Sequence, residues 1–524
     1  MLVTDIVRHA GKRYGEREAI VCGKHRLTYD TLIERSSRLV SGFLKMGLRP
    51  QDRVAIIAQN CHRVVELYIV AALSGFVAVP VKVQYSVDEI QEMLQNTSPS
   101  LILANVSDEV KVREAASTLP HVQFVWWDDD AHEHPYTYTT GGGEYEWLIS
   151  RNDPYAISSV PGEDALFALL YTTGSTAQEK AVMVTQRTQV ETVLSEFSEL
   201  CFPIGTYVQS GSLLFSSGAG MVVQAMLTGG KQILLNGVHT NPEHILQTIE
   251  MEHADGARYQ PQLVHSRTID SYNLSSLRYI IQGGYHLNPS HFHMFVERFG
   301  PILIHGYGST EAGAIASLIP EEYWHNGVLD DVYIRSCGRA LPGVTIRVVD
   351  ADGNSVPPGV VGEVFVHTRA LTPGYWRNLV ATKDAIRDGW LHTHDLGFLD
   401  EKSYLFLLPR NENPAGIPTF QAIDIDAVLC RHPTVADSAT FARSTSDGQR
   451  HIMAVVELHA DATVKEEELI TFCRHELPEQ DIPTTVHITD HMPRNTAGKV
   501  LRRPLRERYL RDDLTNHARS QSSR

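Results

Sequence analysis

Cysteine is scarce in this chain. Six occur in 524 residues, at positions 22, 61, 201, 337, 430 and 473, and no two are spaced to clip a metal. The sequence therefore holds neither a zinc ribbon nor a CxxC redox pair. So thin a set reads as reduced core thiols of a cytoplasmic protein. Basic charge is also short: 46 Lys and Arg stand against 62 Asp and Glu, a net charge of −16. That balance repels phosphate backbones and anionic lipid, so broad nucleic-acid binding is excluded. Long apolar runs are missing. The most apolar stretch, 67–81, is broken by Gly75 and Pro80 and cannot span a bilayer. The first fifteen residues lack an apolar signal core. There is no GxSxG elbow and no HExxH, so hydrolase and zinc-protease chemistries have no support. The 25 histidines are dispersed and read singly as surface or core residues.

What is present is an ordinary globular composition, 43% apolar and 21% charged. At about 100–200 residues per domain the length implies several units. Residues 28–48 carry apolar side chains at helical spacing, and Arg53–Ile57 reads as a buried strand. A helix over 63–73, strands over 78–81 and 101–104, and the same alternation from 165 to 330 predict parallel α/β sheets. The polar, glycine-containing stretch 127–164 reads as a surface connection. From 333 to 408, strand chemistry punctuated by Asp352-Gly353 and Pro357-Pro358-Gly359 predicts a β-barrel-like unit. The segment 409–418 has hinge composition, 419–510 reads as a small α+β domain, and 511–524 as a polar tail. The expected fold is thus α/β: a large domain over 1–408, with two parallel α/β subdomains and the barrel-like one, and the small domain after the hinge.

Four segments could carry chemistry. In Tyr171-Thr172-Thr173-Gly174-Ser175-Thr176, followed by Lys180, a strand runs into small hydroxyl residues and a cation, which together can converge on an anion. It is no Walker loop, lacking the second glycine before the lysine and the Ser/Thr after it. In Tyr307-Gly308-Ser309-Thr310-Glu311 a strand ends where ligands of parallel sheets bind. Tyr307 could stack on a base, Thr310 contact a phosphate and Glu311 bind Mg²⁺. Asp395 and Arg410 suit ribose hydroxyls and phosphate. Lys499, in Pro493–Lys499, is a point charge on a glycine-containing loop.

In this order the segments resemble the adenylate-forming superfamily of acyl-CoA synthetases, nonribosomal-peptide adenylation domains and luciferases. The family's YTSGTTGxPKG matches Tyr171–Ala181, YGxTE matches Tyr307–Glu311, and GYW matches Gly374-Tyr375-Trp376. TGD matches Thr393-His394-Asp395 and PRxxxGK matches Pro493–Lys499; Gly338–Gly343 and Pro358–Glu363 agree as well. The resemblance covers roughly residues 1–510. It implies an AMP-forming ligase that joins a small carboxylic acid to ATP as an acyl-adenylate, releases pyrophosphate, and passes the acyl group to CoA. By the same resemblance Thr172, Thr173, Gly174, Ser175, Thr176 and Lys180 hold the β,γ-phosphates. Gly283, Gly284 and Tyr307 frame adenine, and Asp395 and Arg410 hold the ribose. Thr310 meets the α-phosphate and Glu311 the Mg²⁺. Lys499 bridges the two reacting anions until the small domain rotates about Glu412. The acid's pocket is expected around Phe215, Ser216, Ser217, Gly218, Gly220, Met221 and Tyr285. Ser216 stands where amino-acid-activating relatives carry Asp, so α-amino acids are disfavoured.

The chain departs from the family pattern at Ala177, Glu179 and Ala181, at His394 in place of the TGD glycine, and at Pro409. Residues 411–420 match the thiol-tunnel loop poorly. Two alternatives to CoA transfer follow: loading of the phosphopantetheine thiol of an acyl carrier protein, or a catalytically silent nucleotide-binding relative. A cytoplasmic monomer or homodimer without a membrane span is expected.

Overall fold

The computed structural model describes residues 1–509 apart from 129–142, 157–159, 173–178, 201–204, 236–240, 265, 267, 285–286, 288, 409–424, 427, 445–449, 460–461, 495–499, 503 and 507. Its architecture is the expected α/β one. A six-stranded sheet runs in the order Gln123–Trp127, Leu101–Asn105, Arg53–Ala58, Val77–Lys82, Leu166–Tyr171 and Ala181–Thr185. All neighbours are parallel except the last pair, a hairpin. A nine-stranded sheet has a parallel centre built from Glu18–Cys22, Lys231–Leu234, Thr206–Gln209, Gly256–Arg258, Tyr279–Gly283 and Leu303–Ser309. Antiparallel strands His25–Thr28, Gly313–Leu318 and Arg339–Ala340 close its edges.

One apolar layer is shared by the two sheets. The helix His62–Ser74 is buried along its whole length, as its apolar run Val64-Val65 to Leu73 demands. The helices Val3–Tyr14, Tyr29–Lys45 and Ser216–Thr228 join it in the largest core cluster. Burial on all sides leaves the charges of that helix to be neutralised internally. Glu66, fully buried, accepts from Tyr145 at 2.7 Å and pairs with Arg35. This is where the surface-connection reading of 127–164 fails: Glu144–Arg151 is a helix, and Tyr145 is fully buried against the central layer.

A five-stranded antiparallel sheet (Val344–Val349, Gly362–Thr368, Trp390–Leu399, Ile386–Arg387, Leu405–Leu407) supplies the barrel-like unit. Towards the C-terminal end, Val435–Ser444 and Arg450–Leu458 pair antiparallel, and Thr485–Thr489 lies parallel to the latter. The helix Glu466–Glu476 covers this sheet over Val456, Leu469 and Cys473. Arg494 fixes its far end by pairing with Asp437 at 2.7 Å and Glu457 at 3.0 Å. His291 Nε2 of the large unit lies 3.2 Å from the Ala436 carbonyl oxygen of this small one.

The residue that leads into the strand Arg339–Ala340, Gly338, shows why it must be glycine. Its φ is +76°, and a Cβ there would lie 1.7 Å from the Ser317 carbonyl oxygen. Gly338→Ala must both strain the backbone and push neighbouring strands apart, so it should cost about 3 kcal/mol. Gly353→Ala has a similar φ of +83° but open space around the new methyl, and should cost about 1 kcal/mol. Thermal melts of the two variants check this; equal losses would show that backbone conformation alone matters at Gly338.

Candidate functional site

The hairpin of Leu166–Tyr171 and Ala181–Thr185 carries the hydroxyl-rich loop. Its neck is closed by the Thr172 amide, which donates to the Lys180 carbonyl oxygen at 3.2 Å. Thr173, Gly174, Ser175 and Thr176 lie outside the described residues, as do Tyr285, Arg410, Glu412 and Lys499.

The neck is tied to the rest of the site through Gly374-Tyr375-Trp376. The Met183 amide donates to Gly374 O at 3.0 Å and the Trp376 amide to Ala181 O at 2.8 Å. Gly374 has φ +135°, and a Cβ there would strike Thr382 at 2.4 Å. This lacing sets the Tyr375 ring between two opposite charges. Lys180 Nζ sits 5.0 Å from the ring centroid, within cation–π reach. The Tyr375 hydroxyl donates to Glu311 Oε1 at 2.8 Å. One Glu311 oxygen is thereby oriented, and its carboxylate remains the hard oxygen donor that Mg²⁺ prefers.

Glu311 follows the strand Leu303–Ser309, whose register with Gly313–Leu318 slips between Tyr307 and Gly308. The slip aims Tyr307 at Asp395, and its hydroxyl donates to Asp395 Oδ2 at 2.7 Å. Burial, with Asp395 beside it, pushes the Tyr307 hydroxyl well above its usual pKa. It therefore stays a neutral donor. Asp395 is further fixed by its own amide, which donates to Thr393 Oγ1 at 3.1 Å. Thr393 Oγ1 in turn donates to Val364 O at 2.7 Å. Between them His394 has φ +57°, which explains the glycine of the family pattern. Histidine is among the few other residues that adopt this region readily, and its ring lies 3.3 Å from Glu363.

Gly283 pairs with Gly306 across neighbouring strands, and a Cβ on it would approach Gly306 O at 3.2 Å. Gly284 turns the chain at φ +93°. Thr310 Oγ1 lies 3.3 Å from Ser216 Oγ, which joins the strand end to the first residue of the helix Ser216–Thr228. Along this helix the small residues divide. A Cβ on Gly218 would lie 2.4 Å from Leu213 Cα, so its smallness serves backbone packing and opens no room for an acid. Ser217 is exposed. Gly220 instead faces Glu196, whose Oε2 would be 4.0 Å from a Cβ.

Lys82 is a site-edge residue that sequence reasoning missed. It ends the buried strand Val77–Lys82 at 6% exposure, with Nζ 3.8 Å from the Phe215 ring centroid. Burial pulls its ammonium down to about 7, against the attraction of Glu179. Glu179 Oε1 accepts from the Tyr85 hydroxyl at 3.0 Å, and burial pushes its carboxyl up. A lysine closing an apolar strand at the carboxyl edge of a parallel sheet was the available signal.

Unfolded Lys82 titrates near 10.5 and folded Lys82 near 7. Between those values the unfolded chain binds the extra proton, so the fold strengthens as pH rises; below about 7 both states are protonated and the burial cost is constant. Lys82→Met removes that slope. Its melting temperature relative to the parent should therefore fall between about pH 7 and about pH 9, as the parent recovers the burial cost. A difference that stays flat across matched buffers would exclude Lys82 as the titrating group.

Known proteins resemble this chain over nearly its whole length. The AMP-binding enzyme family model matches residues 7–376, and the AMP-binding enzyme C-terminal domain matches 424–499. A long-chain-fatty-acid–CoA ligase of Escherichia coli is 27% identical, over 96% of this chain and 94% of the relative. A fatty acid–[acyl-carrier-protein] ligase, ScoC, of Streptomyces coeruleorubidus is 26% identical over 94% of each. Among solved structures, ATP-bound MatB from Rhodopseudomonas palustris shares the fold with a TM-score of 0.83 at 22% identity, covering 97% of this chain and 99% of that one. Among the described residues no helix is long and apolar enough to cross a membrane. With both of its domains matched, the chain belongs to the AMP-binding enzyme family, as an AMP-forming acid–thiol ligase.

Proposed function

We propose that this enzyme activates a non-amino carboxylic acid as its adenylate and then passes the acyl group to the thiol of CoA. A carboxylate oxygen of the acid attacks the α-phosphorus of ATP, the bond to the β-phosphate breaks and pyrophosphate leaves. The thiol sulfur then attacks the acyl carbon, loses its proton, and AMP departs. Two anions must approach in the first step, so positioning and charge screening supply most of the acceleration.

The observation that carries this reading is the Lys180–Tyr375–Glu311 chain, which holds a cation and a carboxylate on one rigid ring. In the proposed assignment Lys180, Thr172 and residues 173–176 take the β,γ-phosphates, and Glu311 takes Mg²⁺. Thr310 meets the α-phosphate beside Ser216, where the acid enters. Tyr307, Gly283 and Gly284 border the adenine, and Asp395 with Arg410 holds the ribose. Lys499, on a small domain spanning 419–510, closes over the reacting groups and withdraws by rotation at Glu412, within the hinge 409–418. The setting proposed is the cytoplasm.

A second reading, loading of an acyl carrier protein, is favoured by the likeness to ScoC and by the altered segment 411–420. Carboxylate-dependent exchange of labelled pyrophosphate into ATP tests the first step. Exchange with at least one acid is expected. ATP binding without exchange for every acid, in folded protein, would instead establish a silent nucleotide-binding relative. Supplying CoA or a phosphopantetheinylated carrier in turn separates the two acceptors.

Tyr375→Phe keeps the ring under Lys180 but removes the donor to Glu311. Loss of a hydrogen bond to a charged group is worth about 1.5–3 kcal/mol. The Mg²⁺ concentration for half-maximal exchange should therefore rise about 10-fold or more. An unchanged Mg²⁺ requirement would detach Tyr375 from the metal-binding role.

A further inference from the structure

The face of the nine-stranded sheet that lies under the helix Ser216–Thr228 sets several buried polar side chains beside an apolar patch of Tyr207, Tyr279, Ile304 and Met221. Along Thr206–Gln209 the side chains alternate. Val208 enters the apolar core on one face, while Tyr207 and Gln209 turn to the other. Gln232, on the adjacent strand, donates from Nε2 to Met221 O of the helix at 2.6 Å, which fixes it beneath that helix. Gln224 projects from the helix itself and is 3% exposed. Arg258 donates to Gly283 O at 2.9 Å. Glu196 faces Gly220 and, with Arg258, lies near enough to influence the Tyr207 hydroxyl.

Tyr207, Gln209, Gln224 and Gln232 are each at least 97% buried. Yet the Tyr207 hydroxyl, Gln209 Oε1, both terminal atoms of Gln224, and Gln232 Oε1 have no hydrogen-bond partner among the described residues. Each such group carries a desolvation penalty that a fold does not normally leave uncompensated. Gathering several in one layer, next to a guanidinium and a carboxyl, is the composition of a surface awaiting a polar ligand.

Resting on the adenylation reading, we infer that this layer is the far end of the acid-binding pocket and that the substrate is a short acid bearing hydroxyl, carbonyl or carboxyl groups distal to its reacting carboxylate, not a long alkyl acid. The span fits. The helix rises about 1.5 Å per residue, so Gly220 and Gln224 lie about 6 and 12 Å from Ser216, where Thr310 marks the reacting end. A long alkyl chain laid along that path would leave the Tyr207 hydroxyl, both terminal atoms of Gln224 and the amide oxygens of Gln209 and Gln232 unpaired.

Burial pushes the Glu196 carboxyl up to about 7, so near neutral pH it can donate as well as accept.

The test is pyrophosphate exchange by the full chain across length-matched acids: straight-chain alkanoates against hydroxyaryl, keto and dicarboxylic acids. The best polar acid should exceed the matched alkanoate at least about 100-fold in kcat/KM, as expected of a site built to hydrogen-bond its substrate. Gln224→Leu should raise KM for that polar acid about 10-fold or more with little change in kcat, and should narrow the gap to the alkanoate, while melting no lower than the parent. Exchange that favours alkanoates, or a KM for the polar acid unmoved by Gln224→Leu, overturns the inference while leaving adenylation intact. Absence of exchange with every acid overturns the adenylation reading on which it stands.

Discussion

A ligase of this kind must bring two negatively charged reactants together, and the proposed site depends on a fixed spacing between the Lys180 cation and the Glu311 carboxylate. Tyr375 supplies that spacing. Its ring faces Lys180, its hydroxyl holds Glu311, and its backbone is stitched to the strand that leaves the loop. The two charges belong to different sheets, so without the ring their separation would depend on how two large layers settle against each other. An aromatic ring with two rotatable bonds is a stiff spacer, and burial at 7% exposure stiffens it further.

The layers are themselves locked by a helix with no solvent-facing side. Because His62–Ser74 is buried all round, the two sheets cannot slide without moving Glu66, and Glu66 is held by Tyr145 and Arg35 from separate helices. Breaking such a buried charged network by removing one partner is expensive. Rigidity at the centre lets the candidate site be built from short segments at strand ends, where each side chain is held by one or two hydrogen bonds: Tyr307 to Asp395, Asp395 to Thr393, Thr393 to Val364.

Much of this was legible in the sequence because it is local. The strand runs Arg53–Ala58 and Leu101–Asn105, the turn glycines and the spaced motifs depend on neighbours within a few residues. What escaped depends on distant partners. Nothing near Tyr145 announces that it will be buried against Glu66, so a helix behind a glycine-rich stretch read as surface chain. Gly218 suggests room for substrate in the sequence, but the backbone of Leu213 occupies that space. The glutamines at 209, 224 and 232 are inconspicuous in the sequence. Only when strands Thr206–Gln209 and Lys231–Leu234 pair do Gln209 and Gln232 reach one face, beneath the helix that carries Gln224.

The departures at the loop neck are best understood together. Glu179 stands where the family pattern has proline, and a carboxylate beside a loop proposed to hold phosphates would oppose that task. Here that carboxylate is turned to the Tyr85 hydroxyl and lies close enough to Lys82 to favour the ammonium. Lys82 in turn sits over the Phe215 ring at the head of the helix Ser216–Thr228. A half-buried carboxylate alone, or a buried ammonium alone, would carry an uncompensated desolvation cost. The pair lowers both costs at once. It also leaves Lys180, whose ammonium faces Tyr375, as the neck cation not engaged by Glu179. A change that looks hostile in one loop is thus balanced by a residue almost a hundred positions earlier, at the edge of the adjoining strand.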